Sequence, residues 1–288
     1  MADIDDDLIF DIGMHHGDDT AFYLAKGFRV VAVEADPKLV RQVSERLAGP
    51  IAEGRLVIVG SAIWEAGGTE IPFFIHGNSD RGWSSAFQAS AERDGSTAEA
   101  IRVPTTTVSE LFDRHGVPRY LKCDIEGGDA VVVRQLAEDG RLPTFVSVEI
   151  SGRGFIERLA EMGYDRFQLV NQALLHRTKL APPPREGRFA PLSVGGHASG
   201  PFGLDLPAAF WAPAPATLRR YDDRQRHHER RSLRGQLMKR VSRLTGRGWL
   251  SYRGWMDVHA TTAAALARPH RTTPSQGTLP PDGPIGSR

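Results

Sequence analysis

At 288 residues, 40% hydrophobic and 25% charged, the chain can bury a sizeable core and is long enough for one large domain or two small ones. A formal net charge of +1 gives no reason to expect nucleic acid as a partner. Cys123 is the lone cysteine, which excludes an intramolecular disulfide and argues against a Cys-based zinc site. The N-terminus lacks the basic region and apolar stretch of a signal peptide, and no apolar run approaches the roughly 20 residues of a membrane-spanning helix, so a cytoplasmic protein is expected.

The first half alternates between two patterns. Leu8 to Ile12 is a short apolar run ended by glycine, hence a buried strand and a turn. Asp18 to Lys26 has helical spacing closed by Gly27, and Arg29 to Glu34 is a β-branched strand. Pro37 opens a helix running to about Leu47, at a position where its missing N–H costs nothing. Arg55–Val59 is a third strand, and Ile71–Ile75 and Ala100–Val103 are shorter ones flanking a Gly/Ser-rich loop, His76 to Ser96. The pattern then predicts helix Val108–His115, strand Tyr120–Asp124, helix Asp129–Glu138, strand Thr144–Ile150, helix Phe155–Met162 and strand Arg166–Val170. Strands alternating with helices of about ten residues imply an α/β fold, a mostly parallel sheet with helices on both faces.

Beyond Leu180 the prolines multiply, from Pro182 to Pro215, and mark irregular surface structure. A basic helical stretch follows, about Ala216 to Leu244, whose Leu233, Leu237, Val241 and Leu244 recur every three or four residues. Trp249 to His259 is aromatic enough to pack back onto the domain, and its Trp255, Asp257 and His259 could return to the cleft edge. The expected division is a cofactor-binding domain over 1–180, a Pro-rich and basic helical extension packed on it over 181–265, and a disordered tail over 266–288. The basic helix would sit with its charged face in water; weak contact with an anionic membrane or acidic polymer is the alternative. Oligomeric state is not written in the pattern.

Ile9 to Gly17 (IFDIGMHHG) is a strand running into a Gly-x-x-x-Gly loop and a helix. Gly13 lets the chain turn sharply and approach a ligand with its backbone. The loop lies outside the carboxyl end of its strand, where open α/β sheets bind ligands. The second strand ends in Glu34, about 20 residues further on, where an acid can accept from both ribose hydroxyls of a nucleoside. The same glycines could serve as plain turns and Glu34 as a surface acid. His15 stands where the dinucleotide pattern G-x-G-x-x-G wants glycine, and no P-loop lysine pattern occurs. A phosphate-free nucleoside therefore fits better than NAD or ATP, which favours S-adenosyl-L-methionine.

IFDIGMHHGDDT, VVAVEADP (Val30 to Pro37), YLKCDIEGGD (Tyr120 to Asp129) and FVSVEI (Phe145 to Ile150) together resemble the FkbM-type family of S-adenosylmethionine-dependent methyltransferases, over about Leu8 to Gln172. Cys123 before the Asp, and Asp129 where a Glu is more common, depart from the usual family wording without removing a carboxylate. The resemblance implies a Rossmann-like class I methyltransferase fold, a pocket shaped by Asp11, Gly13 and Gly17, Glu34 on the ribose, and Ser61 and Ala62 beside the adenine. It also favours O-methylation of a hydroxyl on a small molecule, glycan or secondary metabolite.

Methyl transfer asks the enzyme to align acceptor and methyl, take a hydroxyl proton and exclude water. Asp124 and Glu126 sit where the strand breaks into a turn, on the side where the cofactor loop opens, and Glu149 ends the next strand on that side. They are the candidates for general base or acceptor positioning; for Asp124 and Glu126 the plain alternative is an acidic start to the helix near Asp129. Three strand-end acids could share a proton or bind a cation, but no histidine stands at metal-ligand spacing among them, and no metal is expected. His15 and His16 read as pocket lining, and Trp83, Ser84 and Ser85 as a substrate loop or a surface hairpin. Two further readings stay open: an NAD-type oxidoreductase on the same fold, and a non-catalytic nucleoside-binding adaptor.

Overall fold

The computed structural model describes residues 3–78, 82–92, 95–172, 180, 183–190, 199–226 and 256–268. In chain order the elements begin β1 (Ile4–Ile12), α1 (Asp18–Ala25), β2 (Arg29–Val33), α2 (Pro37–Arg46), α3 (Ala48–Ala52), β3 (Leu56–Val59) and β4 (Ala62–Ile63). They continue as β5 (Glu70–His76), α4 (Gln88–Ala91), β6 (Ala98–Thr106), α5 (Val108–His115), β7 (Val117–Cys123), α6 (Asp129–Asp139), β8 (Phe145–Glu149), α7 (Gly154–Glu161) and β9 (Arg166–Asn171). After a helix over 214–226, α8, come β10 (Met256–Thr261) and α9 (Ala263–Leu266).

Seven strands form one sheet in the order β3-β2-β1-β7-β8-β10-β9. All neighbours from β3 to β8 are parallel, and β10 runs antiparallel between β8 and β9. The parallel strands are buried on both faces, and this is why they read as continuous apolar runs. Leu8, Phe10 and Ile12 of β1 point into one core with Val31, Leu121 and Val146; Ile9, Val30, Ala32 and Tyr120 face the other. Phe22 and Leu24 of α1 and Val43 of α2 cover the second face, whereas α5, α6 and α7 cover the first through Leu111, Val132, Leu136, Ile156 and Leu159.

Local signals set the helix ends. Asp36 accepts from the Lys38 N–H at 2.8 Å ahead of Pro37, and Thr107 with Glu110 forms a reciprocal capping box on α5. A second sheet, β4-β6-β5, pairs β5 and β6 as antiparallel strands beside the main sheet.

β10 lies within the segment assigned from sequence to an extension, and it is an interior strand of the sheet. α8 packs Ala214, Leu218 and Tyr221 against the first core. The stretch 227–255, with Leu233, Leu237, Val241, Leu244 and Trp249, and the tail from 269 onward lie outside the described residues. The segments 183–190 and 199–206 are tied down by charge: Arg119 grips Glu186 with two 2.9 Å hydrogen bonds, and Lys26 meets Asp205 at 2.7 Å. Among the described residues no helix is long and apolar enough to cross a membrane.

Candidate active site

A cleft enclosing about 640 Å³, its open mouth included, lies at the carboxyl ends of β1, β2 and β7. Gly13, His15, Glu34, Ser61 and Ala62 line one side, and Asp124, Ile125, Glu126 and Gly128 another.

The loop after β1 is folded hard against its neighbours. Gly13 has φ +85°, and a Cβ there would lie 1.9 Å from the Asp124 carbonyl oxygen, so only glycine lets the two strand ends come together. The Gly13 and Met14 N–H groups both donate to the Val33 carbonyl at 3.0 Å. Glu34 is 8% exposed; Oε2 accepts the His15 N–H at 2.8 Å and Oε1 the Asp36 N–H at 2.9 Å. Burial raises its carboxyl above the ordinary range, against those two hydrogen bonds. A carboxylate has about four acceptor positions, so two such bonds leave others for a ligand.

Asp11 and Gly17 stand away from the cleft lining. Asp11 is wholly buried beneath the loop, where Thr20 Oγ1 donates to it at 2.6 Å and Lys122 Nζ lies 3.2 Å away. Lys122 also sits 3.7 Å from Asp19, whose carboxylate accepts the Ser199 and Gly200 N–H groups. Burial opposes the Lys122 charge, but Asp11 and Asp19 outweigh it and hold the ammonium well above its usual pKa. Asp19 is pushed up to about 6 by burial, with Lys122 opposing. Gly17 caps α1 at φ +70° and packs on Val43 and Arg46.

The acidic end is denser than the strand-end pattern indicates. Asp124, Glu126 and Glu149 each bring a carboxylate oxygen to within 4.8 Å of the other two. Glu126 adopts φ 52°, a left-handed conformation uncommon outside glycine, which costs on the order of 1 kcal/mol and is often kept at functional sites. Asp257, directly opposite Glu149 in the β8–β10 register, and Asp129, the first residue of α6, add two buried acids. Burial, then the charges of Asp124 and Glu126, push Glu149 up to about 9. Burial, with Asp124 next, holds Asp129 at about 6 and Asp257 well above the carboxylate range.

Residues of the Gly/Ser-rich loop form the roof. Gly82, Ser84, Ala86 and Phe87 line the cleft together with Phe73 of β5. Ser85 pairs with Phe74 across a short bridge, and its Oγ donates to the Glu126 carbonyl at 2.8 Å. The roof is thereby fastened to the acidic turn. Ser84 and Ser85 were visible in sequence as loop residues, Asp129 as a motif acid and Asp257 as part of a returning aromatic segment; Phe73 and Phe87 were not.

A doubly wound, mostly parallel sheet with a glycine-bearing loop at its switch point defines a Rossmann-like α/β fold whose cleft opens at the strands' carboxyl ends. Residues 11–177 match the model of the Methyltransferase FkbM domain, and the chain belongs to that family of methyltransferases. The fold is the class I methyltransferase fold. No curated protein matches the chain. A solved structure, precorrin-6y C5,15-methyltransferase from Geobacter metallireducens GS-15, is 15% identical over 58% of this chain and 69% of that one, with a TM-score of 0.34, too distant to carry residues across.

Proposed function

We propose that the chain transfers the methyl group of S-adenosyl-L-methionine to a hydroxyl oxygen on a small molecule, glycan or secondary metabolite. The observation that carries this reading is the two-sided cleft: small residues and a buried acid on one wall, carboxylates on the other. Glu34 would accept from the ribose hydroxyls with the acceptor positions its two backbone bonds leave over. Ser61 and Ala62, with Ile63 and Leu39 beside them, make a wall small and apolar enough for a flat base. When bound, the cofactor supplies a methyl group on a sulfonium, which departs by direct displacement.

The chain's own residues must then orient the acceptor and take its proton. Asp124 and Glu126 line the cleft, where either carboxylate could receive that proton. Ser84, Ala86 and Phe87 line the cleft beside them, where they could contact the acceptor.

Calorimetry with S-adenosylhomocysteine and with NAD tests the cofactor. No binding of the sulfur nucleoside sinks the proposal, and preference for NAD favours the oxidoreductase. Turnover tests the chemistry: Asp124→Asn is expected to lower methyl transfer while leaving nucleoside binding largely intact. Labelled S-adenosylmethionine offered with cell extracts would reveal the acceptor.

A further inference from the structure

We propose that Asp124, Glu126 and Glu149 form a binding site for a single hard divalent cation at the acceptor end of the cleft. The three oxygens within 4.8 Å of one another can all touch one ion, because metal–oxygen contacts of about 2.0–2.6 Å place ligands at most about 5 Å apart. The donor set is oxygen only, which selects Mg²⁺, Mn²⁺ or Ca²⁺ over metals that prefer nitrogen or sulfur. A carboxylate set needs no histidine, so histidine spacing says nothing about it.

Asp129, which opens α6 just after the Asp124–Glu126 turn, supplies a second observation. It is 3% exposed, and its Oδ1 accepts no hydrogen bond. An unfilled carboxylate oxygen buried among other carboxylates is costly, and a cation offsets that cost. Lys122 attracts Asp124 and Asp257 from below, but its ammonium is committed to Asp11, Asp19 and the Gly13 carbonyl. Asp257, opposite Glu149 and hydrogen-bonded by Gln172, closes the far side of the cluster.

An ion here borders the cleft, since Asp124 and Glu126 also line it. It would ligate the acceptor's hydroxyl oxygen and lower the pKa of that hydroxyl, the proton passing to the carboxylate oxygen of Asp124 or Glu126 that the ion leaves free. This role rests on the methyl transfer proposed above; the binding site does not.

The test uses the full chain stripped with EDTA and titrated with MnCl₂, by calorimetry and by the electron paramagnetic resonance of free Mn²⁺. A single saturable Mn²⁺ per chain is expected, displaced by Mg²⁺ or Ca²⁺, with a rise in melting temperature. Asp124→Asn and Glu149→Gln should each weaken binding at least about tenfold, whereas Asp113→Asn, on the exposed side of α5, should not. Glu149→Gln relieves a crowded cluster, so the metal-free variant should melt no lower than the parent while losing its response to Mn²⁺. Absence of saturable Mn²⁺ binding to the parent chain overturns the proposal, as does unchanged binding in both variants. S-adenosylhomocysteine titrated in EDTA separates the two readings: nucleoside binding without cation binding removes only the ion, and the converse removes only the cofactor.

Discussion

Lys122 Nζ donates a 3.0 Å hydrogen bond to the carbonyl oxygen of Gly13, so a side chain buried in β7 holds the backbone of the loop that lines the cleft. The same ammonium neutralises Asp11 and Asp19. Replacing it with methionine keeps the volume and leaves two buried acids without their cation. Lys122→Met should destabilise the fold by about 3–5 kcal/mol, the usual effect of removing one partner from a buried pair. A shift in the urea midpoint worth less than about 1 kcal/mol would show that the Lys122 ammonium is not what holds Asp11 and Asp19 in the fold.

Gly13 and Gly68 share a left-handed backbone and differ in their surroundings. At Gly68 (φ +70°) a Cβ would meet nothing within 4 Å, whereas at Gly13 it would strike the Asp124 carbonyl. Gly68→Ala should therefore cost only the backbone strain, about 1–2 kcal/mol. Gly13→Ala should lower the melting temperature further and abolish nucleoside binding, because β1 and β7 must part. Equal effects of the two substitutions would contradict this geometry.

Glu34→Gln preserves shape and one acceptor oxygen but removes the charge. A charge-assisted hydrogen bond contributes about 1.5–3 kcal/mol, so S-adenosylhomocysteine should bind roughly ten- to hundredfold more weakly. Fold stability should change less, since either the His15 or the Asp36 N–H can still find the amide oxygen. Unchanged affinity would place the ribose elsewhere.

The sheet was legible where burial on both faces writes a continuous apolar run, as in LIFDI and RVVAV, and where a cap marks a boundary, as Thr107 does for α5. β10 was not. Its sequence, MDVHAT, alternates Val258 and Ala260 with Asp257, His259 and Thr261, all buried, so polarity along the strand gives no guide to which face meets solvent. In the cleft, Gly13, Glu34 and Asp124 were legible because each ends a strand or opens a turn. Asp11 carries the same kind of signal yet lies below the loop, since alternation along β1 sends it inward towards Lys122. Phe87 reaches the site through a long loop and leaves no local pattern, whereas Asp257 was flagged by the aromatic segment around it and not by any strand signal.

His259 gives the stability an acid limit. The ring is 2% exposed, nearly parallel to Tyr120 at 6.4 Å, and burial depresses its pKa from 6.5 to about 3. Below pH 6.5 the unfolded chain takes up a proton that the folded chain refuses until about pH 3, so this contribution is lost as pH falls across that window. Between pH 7 and pH 5 the loss should be about 2 kcal/mol from this group. Urea unfolding of His259→Gln should show a correspondingly shallower decline than the parent; parallel slopes would mean that the ring is charged inside the fold.

The late position of β10 governs the order in which the protein can be completed. β8 and β9 have no mutual pairing in the sheet; β10 stands between them, register-matched to Glu149 on one side and Val170 on the other through Asp257. During synthesis β9 must wait, with one backbone edge unsatisfied, until residue 261 has left the ribosome. A chain halted before Met256 would carry the whole family-matched region, 11–177, and still lack the strand that joins β9 to the sheet. Folding competence and family membership thus have different endpoints in this chain.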